Sequence, residues 1–188
     1  MLVSHYDQVL VVISFVVAIL ASYTALNMAG RVAGSTGTAA RVWLTGGGVA
    51  MGIGIWAMHF IGMLAMDVSM RMNYDLLVTL VSMLIAIGAS IFALWFVSQQ
   101  QLRLRRLFLG ALILGTGIVA MHYTGMAALQ VEPAIVWNIR WVVLSVAIAM
   151  LASLAALWLT FRLRHDAAQV ALMRAGAAIL MGLAIAGM

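Results

Sequence analysis

The chain has 188 residues, 66% of them hydrophobic and only 8% charged, a composition that excludes an ordinary water-soluble domain and points to an integral membrane protein. All ten basic residues are arginine and the net charge is +5, but the arginines sit in short segments between apolar runs, where they set membrane orientation rather than bind nucleic acid. There is no cysteine, which excludes disulfides, thiolate metal sites and c-type haem attachment.

About 20 apolar residues cross a bilayer. In chain order six runs reach that length: 9–29, 42–66, 76–97, 107–129, 141–161 and 171–188. The first is read as a span, since the N-terminus lacks the basic start and small-residue cleavage pattern of a signal peptide. Its inner half carries a polar patch, Ser22, Tyr23, Thr24 and Asn27, read as interhelical hydrogen bonding. Between the first and second spans lie Arg31 and Arg41; between the third and fourth, Arg103, Arg105 and Arg106; between the fifth and sixth, Arg162, Arg164 and Arg174. Only Arg71 and Arg140 lie on the opposite side, with Asp7, Asp67, Asp75 and Glu132. The arginine-rich side is therefore cytoplasmic and the N-terminus faces out. Trp43, Trp95 and Trp158 mark the inner interface, Trp137 and Trp141 the outer one. His165 falls in a cytoplasmic loop and reads as solvated. The fold expected is an all-α, polytopic membrane bundle over 1–188 with no soluble domain.

The even-numbered spans share a text. MGIGIWAM ends at Met58, LGTGIVAM at Met121 and MGLAIAGM at Met188, each with glycine six residues before its methionine and isoleucine three before. The chain is therefore a threefold repeat of a helix pair. The third copy stops at Met188, where a histidine would follow, so the natural protein is expected to continue, with a seventh span returning to the cytoplasm.

In the first two copies the text runs on as AMHFIGM and AMHYTGM. Residues four apart share a helix face, which pairs His59 with Met63 and His122 with Met126. Both histidines stand seven residues from the outer end of their spans, roughly 10 Å deep at 1.5 Å per residue. Behind them run stripes of small residues, Gly48 and Gly52, Ala111 and Gly115, Ala178 and Gly182. Such stripes let membrane helices approach closely, and the expectation is that spans two, four and six pack on one another through them. A neutral imidazole at that depth needs partners for its ring nitrogens. Imidazole with thioether, and no thiolate or carboxylate, points to copper, with Cu(I) best suited to the methionines. Hard cations would need carboxylate oxygens, and none lies at that depth. Met58 and Met121 point about 100° from the histidines, either as ligands toward a partner helix or as packing. Gly62 and Gly125 give close approach or room for a ligand. Tyr123 stands where the first copy has Phe60, as a donor behind the histidine or as packing, and His5 is either within reach of the cluster or solvated. A histidine bonded to backbone carbonyls in a purely structural bundle is the plainest alternative.

AMHFIGM, AMHYTGM, ASYTAL at Ala21 to Leu26 and the cut third copy resemble the repeated signature of MHYT domains, integral-membrane sensor modules of bacteria, over essentially the whole chain. The resemblance implies a multi-pass sensory domain of the bacterial inner membrane. It implies copper held near the periplasmic face by Met58, His59, Met63, Met121, His122, Met126 and Met188, with help from the motif's aromatic position. It further implies detection of oxygen, carbon monoxide or nitric oxide, and cytoplasmic GGDEF and EAL domains in the same chain that make and degrade cyclic di-GMP. A second copy of the chain is an optional partner. The missing third histidine, and Phe60 and Ile61 in place of Tyr123 and Thr124, depart from the signature and bear on the ligand count. Two other readings are a haem protein with His59 and His122 as axial ligands and a copper carrier, the latter requiring methionines across the whole membrane. Catalysis by this segment is not expected, because no nucleophile, base and orienting acid converge in it.

Overall fold

A computed structural model of the chain describes residues 5–67, 73–99, 103–131 and 137–163, with Gly176, Ala178 and Ile179. Five helices, each long and apolar enough to cross a membrane, make up almost all of it: α1 (Gln8–Ala33), α2 (Gly37–Leu64), α3 (Leu76–Ser98), α4 (Leu104–Ala127) and α5 (Ile139–Leu163). They match the first five predicted spans within a few residues. The sixth predicted span, with Gly182 and Met188, lies outside the described residues, except that Gly176, Ala178 and Ile179 are helical. Helices suit lipid because every backbone bond closes within the segment.

The odd helices begin alike. Asp7 accepts hydrogen bonds from the amides of Val9 (2.8 Å) and Leu10 (3.3 Å), Asp75 from Val78 (3.0 Å), and Asn138 from Arg140 (3.0 Å). These are side-chain caps of helix N-termini, and each follows an aromatic residue: Tyr6, Tyr74 or Trp137. Counted from the caps, the same buried or half-buried positions recur: Ser14, Ser82 and Ser145; Ala18, Ala86 and Ala149; Ser22, Ser90 and Ser153; Leu26, Leu94 and Leu157. The threefold repeat thus extends through the odd helices as well.

Two short antiparallel ribbons set the height of the helices. β1 (His5–Tyr6) pairs with β2 (Met66–Asp67), and β3 (Asn73–Tyr74) with β4 (Leu129–Gln130). The amides of Asp7 and Asp75 donate to the carbonyls of Ala65 and Ala128, both at 2.8 Å. Each ribbon ties the start of an odd helix to the end of the even helix that follows. The outer end of α2 is thereby fixed against α1, and that of α4 against α3.

The helices pack mainly against their chain neighbours, and the contacts among α1, α3 and α5 and between α2 and α4 are slighter. This corrects the expectation for the small-residue stripes. A Cβ on Gly48 would stand 2.9 Å from Cα of Ile91, one on Gly52 2.5 Å from Cα of Ile87, and one on Gly115 3.3 Å from Cα of Met150. Each stripe therefore receives the next odd helix, not another even one. Close backbone approach is what small residues provide where no hydrophobic effect drives helices together. Ala111 lies in an inner-half cluster with Leu94, Val97, Leu107, Leu114 and Leu157, and Ala178 is buried on Leu26 with Leu159 and Leu163 beside it. Through these contacts Ala178 touches residues of both α1 and α5.

A second correction concerns the polar patch of α1. Thr24 and Asn27 donate to the carbonyls of Leu20 (2.8 Å) and Tyr23 (3.0 Å) on their own helix, and Tyr23 is exposed. A hydroxyl or amide can satisfy itself on the preceding turn. Trp43, Trp95, Trp137, Trp141 and Trp158 are all exposed near helix ends, and Arg31 and Arg162 lie over the rings of Trp43 (4.7 Å) and Trp158 (5.6 Å).

Candidate metal centre

His59 and His122 sit near the outer ends of α2 and α4, which the two ribbons fix. Their rings meet edge-on, with centroids 4.9 Å apart and planes at 64°. Nε2 of His59 is buried and has no hydrogen-bond partner. The pair lines a cavity of about 310 Å³ shared with Met58, Met63, Met121 and Met126. The structure thus brings together six of the seven predicted ligands; the seventh, Met188, lies outside the described residues. Met58, Met63 and Met121 are buried. Met58 and Met121, one helix step before the histidines, still line the cavity, because α1, α2, α4 and α5 all contribute to its walls.

The two motif glycines differ. A Cβ on Gly125 would lie 2.7 Å from Nε2 of His59, so Gly125 is the surface on which that ring rests. A Cβ on Gly62 would meet only Oγ of Ser14, at 3.5 Å. Gly125 makes room for a donor group, while Gly62 lines the cavity.

The aromatic position is held twice over, in different ways. Phe60 is packed by Trp56 (4.9 Å between centroids), His59 (5.3 Å) and Tyr74 (5.6 Å), and Nε1 of Trp56 donates to Oγ of Ser82 at 3.1 Å. Tyr123 stands edge-on to His122 (4.9 Å) and against Trp137 (5.4 Å), with its hydroxyl 2.7 Å from Oγ of Ser145. Tyr74 and Trp137, the aromatics ahead of two helix caps, therefore cover the motif aromatics of α2 and α4. Burial also pushes the phenol of Tyr74 above its ordinary pKa.

Ser14, Ser145, Tyr6 and Met66 were not singled out from sequence and prove to line the cavity. Ser14 donates to the carbonyl of Met58 at 3.0 Å and pins α1 to the motif level. The signal available was a serine seven residues after each capping Asp or Asn. His5 lies in β1 opposite Asp67; its side chain lies outside the described part of the structure.

No charged side chain lines the cavity, and among the described residues no group of three His, Cys, Asp or Glu forms. Two imidazoles and four thioethers, one imidazole nitrogen being buried and unpaired, are a soft, uncharged donor set. Copper(I) fits it, and a hard divalent cation does not.

A family model described as "Bacterial signalling protein N terminal repeat" (MHYT) matches residues 1–42, 52–110 and 115–173. The bifunctional diguanylate cyclase/cyclic di-GMP phosphodiesterase MucR of Pseudomonas aeruginosa is 58% identical over the whole chain, which covers 27% of MucR. The cyclic di-GMP phosphodiesterase NbdA of the same species is 39% identical over 97% of the chain and 23% of NbdA, and the signaling protein YkoW of Bacillus subtilis 34% identical over 97% and 23%. The chain thus spans about a quarter of the length of the curated relatives it matches. No solved structure matches it.

Proposed function

The chain belongs to the MHYT family of bacterial signalling proteins, and from that premise we propose that it is the sensory membrane domain of a cyclic di-GMP signalling protein, with copper held at its outer, periplasmic end. The observation that carries the metal reading is the contact of His59 with His122 inside a cavity lined by four methionines. Met58, His59, Met63, Met121, His122 and Met126 would hold the metal, with Met188 as a seventh candidate. When bound, copper supplies a redox-active centre able to take a diatomic gas, and oxygen, carbon monoxide and nitric oxide are the candidate signals.

The protein's part is to couple that centre to helix packing. α2 and α4 have little contact along their lengths, and their histidines meet at the outer end. Any change in how His59 and His122 are held therefore reaches both helices at once. Through Ile87 in the Gly52 stripe and Met150 in the Gly115 stripe it also reaches α3 and α5. Two packings of these helices, biased by the site, constitute a switch. The output would be a cyclic di-GMP enzyme elsewhere in a longer chain, as in the named relatives, and the membrane would be the bacterial inner one.

A haem between the two histidines is disfavoured, because rings 4.9 Å apart in edge contact leave no gap for a porphyrin plane. A copper carrier is disfavoured too, since the methionine-lined cavity stands at the outer end, whereas the inner half of the bundle is a packed apolar cluster. The test is metal analysis of the purified protein, in detergent without chelator, with an optical spectrum. The reading predicts copper and no Soret band; a metal-free protein that also rejects added Cu(I) contradicts it.

A further inference from the structure

Ser22, Ser90 and Ser153 each stand fifteen residues after a helix cap, on α1, α3 and α5. Each is almost wholly buried, with 3%, 1% and 1% of its surface exposed. Each hydroxyl oxygen lacks a hydrogen-bond partner. The three are therefore bonded neither to one another nor to the carbonyl one turn back, the usual recourse of a helical serine and the one Thr24 takes.

The direction of Ser90 and Ser22 follows from the contacts on either side, and Ser153 holds the equivalent place in the repeat. On α3, Ala89 touches the position of a Cβ on Gly117 of α4, and Leu94 that of one on Gly47 of α2. At 100° per residue Ser90 falls between those two edges, on a face turned into the bundle. The same holds for Ser22, between Ala21, which meets Gly54 of α2, and Leu26, which meets Ala178. α1, α3 and α5 touch one another inside the bundle. Each serine lies eight residues beyond Ser14, Ser82 or Ser145 on its own helix, and thus roughly 12 Å deeper, near the middle of the bundle.

We propose that Ser22, Ser90 and Ser153 form a water-binding site on the pseudo-threefold axis of the bundle, distinct from the histidine site. A hydroxyl left unpaired in a lipid-embedded core is costly, and three at one level need a shared partner. Each brings one donor and two acceptor positions. A buried water is stable with two to four polar partners, which the three hydroxyls supply. A metal cation is the poorer fit: the groups are neutral, and the described acids, Asp7, Asp67 and Asp75, are all at the outer ends. Ala18, Ala86 and Ala149, one turn above, are buried and keep the helices close.

The experiment is a structure of the protein in lipid nanodiscs at a resolution that shows waters, read beside the thermal stability of serine variants. An ordered water bridging at least two of the three hydroxyls is the expected result. Hydroxyls turned back onto their own helix carbonyls, or side chains closing the space between them, overturn the proposal. For the variants, S22A, S90A and S153A should each lower the melting temperature, and the triple variant should recover most of the loss, because it leaves no hydroxyl unpaired. Single variants indistinguishable from the parent protein count against the site as well.

Discussion

Replacing Gly125 by alanine sets a methyl group against the histidine pair. The new Cβ would stand 2.7 Å from Nε2 of His59 and 3.0 Å from Cδ2, with Cε2 of Phe60 at 3.5 Å. To reach an ordinary contact of about 3.4 Å, the imidazole must withdraw by roughly 0.7 Å. His122 and Phe60 are already in ring contact with it, so the ring must push them aside or turn into the cavity it lines, away from its place beside His122. Overpacking of this kind costs about 1–3 kcal/mol, against which alanine's helix propensity returns about 1 kcal/mol. The equivalent glycine of the first copy is an internal control. A Cβ on Gly62 meets only Oγ of Ser14 at 3.5 Å, so Gly62→Ala keeps the propensity gain of about 0.5–1 kcal/mol. The two variants should therefore differ by about 2 kcal/mol, with Gly62→Ala at least as stable as the parent and Gly125→Ala less so. Thermal unfolding in detergent, followed by tryptophan fluorescence, reads this directly. Equal effects, or a greater loss for Gly62→Ala, would refute the packing of His59 on Gly125.

The stripes make a similar paired prediction. Gly52→Ala drives a Cβ to 2.5 Å from backbone Cα of Ile87, which cannot yield without moving α3, whereas Gly115→Ala meets the Sδ of Met150 at 2.5 Å, a flexible side chain. Gly52→Ala should lower the unfolding temperature by the larger margin. Ser82→Ala removes the acceptor of the Trp56 indole and should cost about 1 kcal/mol, since it leaves a part-buried donor unpaired; a Ser82→Ala variant of unchanged stability would show that the bond contributes nothing. Tyr74→Phe should be neutral or slightly stabilising, because the phenol is buried without a partner and the ring contact with Phe60 is kept; a loss above about 1 kcal/mol in the same unfolding assay would reveal a bond to the hydroxyl.

The five described spans, the pairing of His59 with Met63 and of His122 with Met126, and the level height of the motifs were legible in the sequence, because hydropathy and helical spacing are local properties. What escaped was which surfaces meet. In lipid every helix face is apolar, so the stripe ending at Gly52 carries no mark distinguishing α3 from α4 as its partner. The repeat in the odd helices was overlooked for a related reason. Ser14, Ala18 and Ser22 are small residues inside a strongly apolar run, and they barely change its hydropathy. Their regularity appears once Asp7, Asp75 and Asn138 are recognised as caps from which to count. Thr24 and Asn27 looked like interhelical donors because sequence does not show that their own preceding turn was within reach.

The most direct measurement compares copper content between the parent protein and the double variant His59→Ala, His122→Ala, both purified from membranes in detergent without chelator and then exposed to Cu(I). The account predicts copper in stoichiometric amount in the parent, its loss in the variant, and an elution profile and helical circular dichroism that the two share. Copper retained at the parent's level after both imidazoles are gone would contradict the assignment of the site.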